Sequence, residues 1–247
     1  AKATQAVEVS HALTVRRDPR EAAAAEFATS CAHLAAGLSH PGGFGRLLAS
    51  RDVPSLSSWE LAFSCASHPR RSVAVHALDC WLDLQDVPAT LRHPQLARPT
   101  YRSVLDCLVS QCNRRDRGFD EDDHEATRVF RESATDVFDA TYVALRSEFP
   151  ARLAERLRAA LEPRRRRGDP SSSSSSSSSR DLLDAEAALF ALTAASKPLC
   201  ADDDDDGSAA ASREAVLSAL ATTVDFFLSA NAAAAAAESS EFLTTAA

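Results

Sequence analysis

The chain has 247 residues, 45% of them hydrophobic and 25% charged, enough apolar material to bury a sizeable core. Its net charge of -8 disfavours general nucleic-acid binding and suits basic partners. Seven glycines and 6% aromatics, in a chain rich in alanine, favour helix over sheet, since alanine is the best helix former and strands draw on β-branched and aromatic residues.

Helical periodicity recurs along the chain. Phe27, Cys31, Leu34, Ala35 and Leu38 make a first stripe, closed by Gly37 and the break His40-Pro41-Gly42-Gly43. After Pro54-Ser55, Trp59, Ala62, Phe63 and Ala66 make a second. Ala74, Ala77, Leu78 and Trp81 make a third, parted from the second by Ser67-His68-Pro69. Pro88 and Pro94 then interrupt. Tyr101, Val104, Leu105, Leu108, Val109 and Cys112 fall at i, i+3, i+4, i+7, i+8 and i+11, with Pro99 placed for a first helical turn. Phe130, Ala134, Val137, Phe138, Thr141 and Leu145 continue the series. Leu183, Ala187, Phe190, Ala191 and Ala194 follow, with Asp181 expected as N-cap. Leu217, Leu220, Ala221, Val224, Phe227 and Leu228 close it, with Ser212 in the same role. No segment alternates as a strand does, so an all-α fold is expected.

The helices pair. Candidate pairs begin near Leu56, Ala97 and Pro150, a spacing of roughly 40 to 50 residues, the period of HEAT and armadillo arrays. A helix hairpin cannot bury its apolar stripe alone, so neighbours must stack. Periodicity by itself leaves a stacked array and a closed helical bundle equally open. Residues 1–247 are read as a single segment, with flexible loops at about 163–180 and 201–211 and a low-complexity tail at 231–247. The first loop holds Arg164 to Arg167 and nine serines, Ser171 to Ser179, and reads as a solvated loop or a phospho-regulated or targeting segment. The second holds Asp202 to Asp206. The absence of methionine leads us to expect a fragment or a processed product.

Six cysteines (Cys31, Cys65, Cys80, Cys107, Cys112, Cys200) are scattered without a CxxC pair and read as free thiols of an intracellular protein. His76 and Cys80 stand four apart on one helix face, too little for a zinc site. No nucleophile elbow, phosphate loop, dinucleotide fingerprint or HExxH occurs, so neither an enzyme nor a cofactor is expected. The candidate site is instead an acidic cluster, Asp120, Glu121, Asp122 and Asp123, just ahead of the helix of Phe130 and Val137. Its carboxylates face that helix's positive N-terminal end, and they either stabilise the helix or form a patch for a basic partner.

Several segments, in order, are similar to the middle of nuclear transport receptors of the importin-β superfamily, closest to the transportin-SR and importin-thirteen branch. LAFSCASHPRRSVAVHALDCWLDL resembles the family's paired helices, with a C-A-x-H-P turn and a late Trp. YRSVLDCLVSQC comes next. DEDDHEATRVFRESATDVFDATYVAL resembles the family's acidic loop and the helix after it, with Phe130, Arg131, Asp136 and Asp139 in matching places. DAEAALFALTAASK resembles the E-A-x-L-F helix, with Glu186, Ala187, Leu189, Phe190 and Lys197 matching. EFATSCAHLAAGLS fits the preceding family helix more loosely. The resemblance covers roughly residues 20 to 200. Two departures stand out. The Arg/Ser insertion occupies what is usually a short link, and Leu182-Leu183 replaces the usual aromatic.

The resemblance implies a right-handed α-α superhelix, a HEAT- or armadillo-like solenoid. It further implies nuclear import of protein cargo, weak contacts with Phe-Gly nucleoporins, and release by Ran-GTP bound through repeats outside this chain. It implies a place in both cytoplasm and nucleus, with no direct nucleic-acid or membrane partner. A generic HEAT-repeat scaffold without a transport role is the alternative.

Overall fold

The computed structural model describes residues 19–39, 53–88, 90, 92–114, 120, 122–166, 175–201 and 208–245. The described residues form helices and no strand: α1 (Pro19–Ser39), α2 (Val53–Ala66), α3 (Arg71–Ala74), a 3-10 turn (Val75–Ala77), α4 (Asp79–Asp86), a second 3-10 turn (Pro94–Leu96), α5 (Arg98–Cys112), α6 (Asp123–Leu145), α7 (Glu148–Arg166), α8 (Ser175–Ala194), α9 (Ser196–Ala201) and α10 (Ser208–Thr245). The fold is all-α, as expected.

Packing follows chain order. α1 lies on α2, α3, the first 3-10 turn and α4; α3 and α4 lie on α6; α5 pairs with α6; α8 rests on α5, α6 and α7; and α10 lies along α7 and touches α9. Nearest-neighbour stacking of this kind is compatible with an α-solenoid. The helix expected to carry Ala74, Ala77, Leu78 and Trp81 is broken by the 3-10 turn into α3 and α4.

The middle stripes fall where periodicity puts them. All six predicted residues of α5, and all six of α6, are buried. Phe138 sits edge-on between Phe149 of α7 and Phe190 of α8, with ring centroids 6.4 and 6.2 Å away. Such edge-to-face contacts add about 0.5–1.5 kcal/mol each beyond burial. On the other side, Trp59 of α2 and Trp81 of α4 meet edge to face at 3.9 Å.

The outer helices depart from expectation. On α1 it is Ala28, Cys31 and Ala32 that turn to the core, while Phe27 (71% exposed) and Leu34 (55%) face outward. On α10, Ala209, Ser212 and Ala219 are buried, with Val216 and Phe226 packed beside them. Leu217, Leu220, Val224, Phe227 and Leu228, expected in the core, stand largely exposed. Small side chains let a terminal helix approach the layer beneath it closely, and the bulky stripe is left uncovered.

Two expected loops are shorter than predicted. Arg164 to Arg166 are the last residues of α7, and Ser175 to Ser179 the first of α8. Asp181 and Ser212, expected as N-caps, therefore lie inside α8 and α10. Serine is a middling helix former, so a helix nucleated by the following apolar run can extend back through it. Asp202 to Asp206 lie outside the described residues, and Ala232 to Ala237 continue α10.

Candidate functional site

A short turn, Ser67 to Arg70, joins α2 to α3, and the chain before α6 returns to the same spot. This brings the acidic cluster onto the start of α3. Asp120 accepts the backbone N–H of Arg71 at 2.8 Å, and with its other oxygen the backbone N–H and hydroxyl of Ser72 at 3.3 and 2.5 Å. It thereby satisfies donors that a helix start leaves unpaired. Asp122 caps α6 itself, accepting the N–H of Glu125 at 3.0 Å. Asp123 pairs with the guanidinium of Arg71 at 3.3 Å, the arginine fully buried and the aspartate partly so. Glu121 lies outside the described residues.

Sequence reasoning did not single out Arg71. Its side chain is fully buried. Beyond Asp123, it donates through Nε to the carbonyl of Gln111 at 2.8 Å and through Nη2 to that of Asn113 at 2.5 Å. Arg131 of α6 takes the carbonyl between them, Cys112, through Nε and Nη2 at 2.8 and 2.5 Å. Two guanidiniums thus bind the carbonyls at the C-terminus of α5, where the macrodipole is negative. Gln111 in turn donates to the carbonyls of Ala66 and His68 at 3.1 and 2.8 Å, closing the end of α2. Asn113 donates to Asp184 of α8 at 2.7 Å. A polar seam therefore runs from α2 through α5 to α8, at the ends of the helices. No local signal marks Arg71 as part of it, because its partners lie some 40 and more positions away.

Cys112 sits inside this seam. Burial pushes its thiol up to about 12, against a partial downward pull from Arg131 and Arg71. It is a packed group and not a nucleophile.

Beside the seam, between α6 and α8, is a cleft of about 440 Å³. Arg114, Arg128, Arg131 and His124 are in its wall with Glu132, and Phe190 is at its base. The cations are matched by carboxylates. Arg128 binds Glu125 at 2.8 and 2.6 Å and Glu132 at 2.5 Å, and Arg114 reaches Glu186 at 3.5 Å. A second hollow of about 350 Å³, between α2 and α5, presents Ser67 and Cys107 3.3 Å apart, with no histidine in its walls. His76 is half-buried and Cys80 buried, and no cluster of three or more metal-ligating side chains occurs among the described residues. No helix searched is long and apolar enough to cross a membrane.

No protein-family model, curated protein or solved structure matches this chain.

The structure does bring together residues from the separate segments that carry the sequence resemblance. Arg131 and Glu186 form a two-pronged ion pair at 2.8 and 2.5 Å, and the Arg131 guanidinium lies 4.5 Å from the Phe190 ring. Asp139 and Lys197 also interact. Burial, then Asp136, pushes the Asp139 carboxyl up, and Lys197 pulls it back. Asp136 itself stands exposed.

Proposed function

We propose that this chain is a stacked-helix segment of a nuclear transport receptor of the importin-β kind, carrying protein cargo between cytoplasm and nucleus. It does no covalent chemistry and needs no cofactor, nucleic acid or membrane. Its partners are protein cargo and Phe-Gly nucleoporins, with Ran-GTP acting through repeats outside this chain. The observation that carries this reading is the Arg131–Glu186–Phe190 contact. It joins two segments, 120–145 and 184–197, each of which resembles a separate stretch of the family. Small rotations between stacked pairs, summed along the array, would let such a segment wrap and release a partner.

The generic scaffold is the second reading, and one observation favours it. Asp120, Asp122 and Asp123 spend their carboxylates on α3, α6 and Arg71, which leaves less acidic surface for a basic cargo. A pull-down separates the two. The immobilised chain is expected to retain Phe-Gly repeats, and a full-length receptor containing it to retain Ran-GTP as well. Loss of both leaves the scaffold.

A further inference from the structure

Where α1 meets the first 3-10 turn, two imidazoles from different elements stack. His33 of α1 and His76 of the turn have ring centroids 4.2 Å apart, tilted by 38°. His33 is exposed and His76 half-buried. We propose that this histidine pair is a pH-sensitive contact that tightens α1 on the stack at neutral pH and loosens it in mildly acidic solution.

The contact matters because it lies at the edge of the layer of α2, α3, the turn and α4 on which α1 rests. That helix packs from one side only, through small residues, with its bulky stripe turned away. Two neutral rings stack without penalty. Two imidazolium ions about 4 Å apart repel by an amount that weakens docking about fivefold, taking water's dielectric for this open site. The charges acting on His76 are His33 from α1, which disfavours its protonation, and Asp79 from α4, which favours it. Of the other elements packed on the turn, α2 brings Cys65, whose thiol is pushed up by burial and stays neutral. α3 and α6 bring Arg71 and Asp123, which are paired with each other.

The sign follows from linkage. Burial, then His33, holds docked His76 below its ordinary value of 6.5, so the loosened form takes up protons more readily. Docking is at full strength above about 6.5 and weakens as the pH falls through that value.

The test is hydrogen exchange of residues 19–39, corrected for the intrinsic pH dependence of exchange. Between pH 7.5 and 5.5, α1 exchange is expected to rise about fivefold relative to α6. His33→Gln, at an exposed position, should flatten that dependence, and the double variant with His76→Gln should remove it. Equal protection of α1 at both pH values would overturn the proposal, as would an unchanged pH dependence in His33→Gln. If His76→Gln loosens α1 at every pH, His33→Gln alone decides.

Discussion

At the C-terminal end of α5, three consecutive carbonyls, of Gln111, Cys112 and Asn113, each meet a buried arginine. Along α10, five large apolar side chains stand largely in solvent. Both regions belong to the same stack, yet one is held by directional bonds from two sides and the other by apolar contact from one. An inner hairpin has neighbours above and below, so its helix ends are enclosed and their orphan groups must be paired within the protein. An outer helix is covered from one side, and what it cannot bury it exposes.

Arg71→Ala probes the enclosed side most severely. It removes the guanidinium that serves Asp123 and two carbonyls, and is expected to cost about 3–5 kcal/mol in denaturant unfolding. A loss below about 1 kcal/mol would erase the distinction between centre and edge. Gln111→Ala removes one amide that serves two carbonyls and should cost about 1–3 kcal/mol by the same measurement. On the open side, the triple change Leu217→Ser, Leu220→Ser and Val224→Ser should shift stability by no more than about 0.5 kcal/mol per site. The same variant should clearly suppress aggregation by light scattering. Loss of cooperative unfolding would mean that the stripe is packed after all. The gentlest probe is alkylation followed by mass spectrometry. Cys200 is exposed and should react in the native protein, whereas Cys112, at about 12 and fully buried, should react only on unfolding.

The same contrast governs what could be read in advance. The stripes of α5 and α6 were legible residue by residue, because in the middle of a stack any apolar face finds a partner. The stripes of α1 and α10 were legible as helices but not as to which face is covered. Period 3.6 reports that Leu217, Leu220 and Val224 share a side, and it is silent on whether anything lies against it. Ala28 and Ala32 carry little weight in a hydrophobicity pattern, yet they are what lets α1 dock. At the candidate site, the place of the acidic cluster at the positive end of α6 was visible in its position before an apolar run, though not that Asp122 is the residue that caps. The engagement of Asp120 with α3, and of Asp123 with Arg71, was not, because each depends on chain segments about 50 residues apart. The break of α3 and α4 by a 3-10 turn has no signal we can identify in the sequence.

One further property follows from how α5 is fastened at its two ends. Its N-terminal half is tied to α7 by exposed ion pairs, Arg102 with Glu148 and Arg152 with Asp106, and these weaken as ionic strength rises. Its far end is riveted by guanidiniums that salt scarcely reaches. Raising the salt concentration should therefore let α5 and α7 splay from one side only, like a fan opening about its pin.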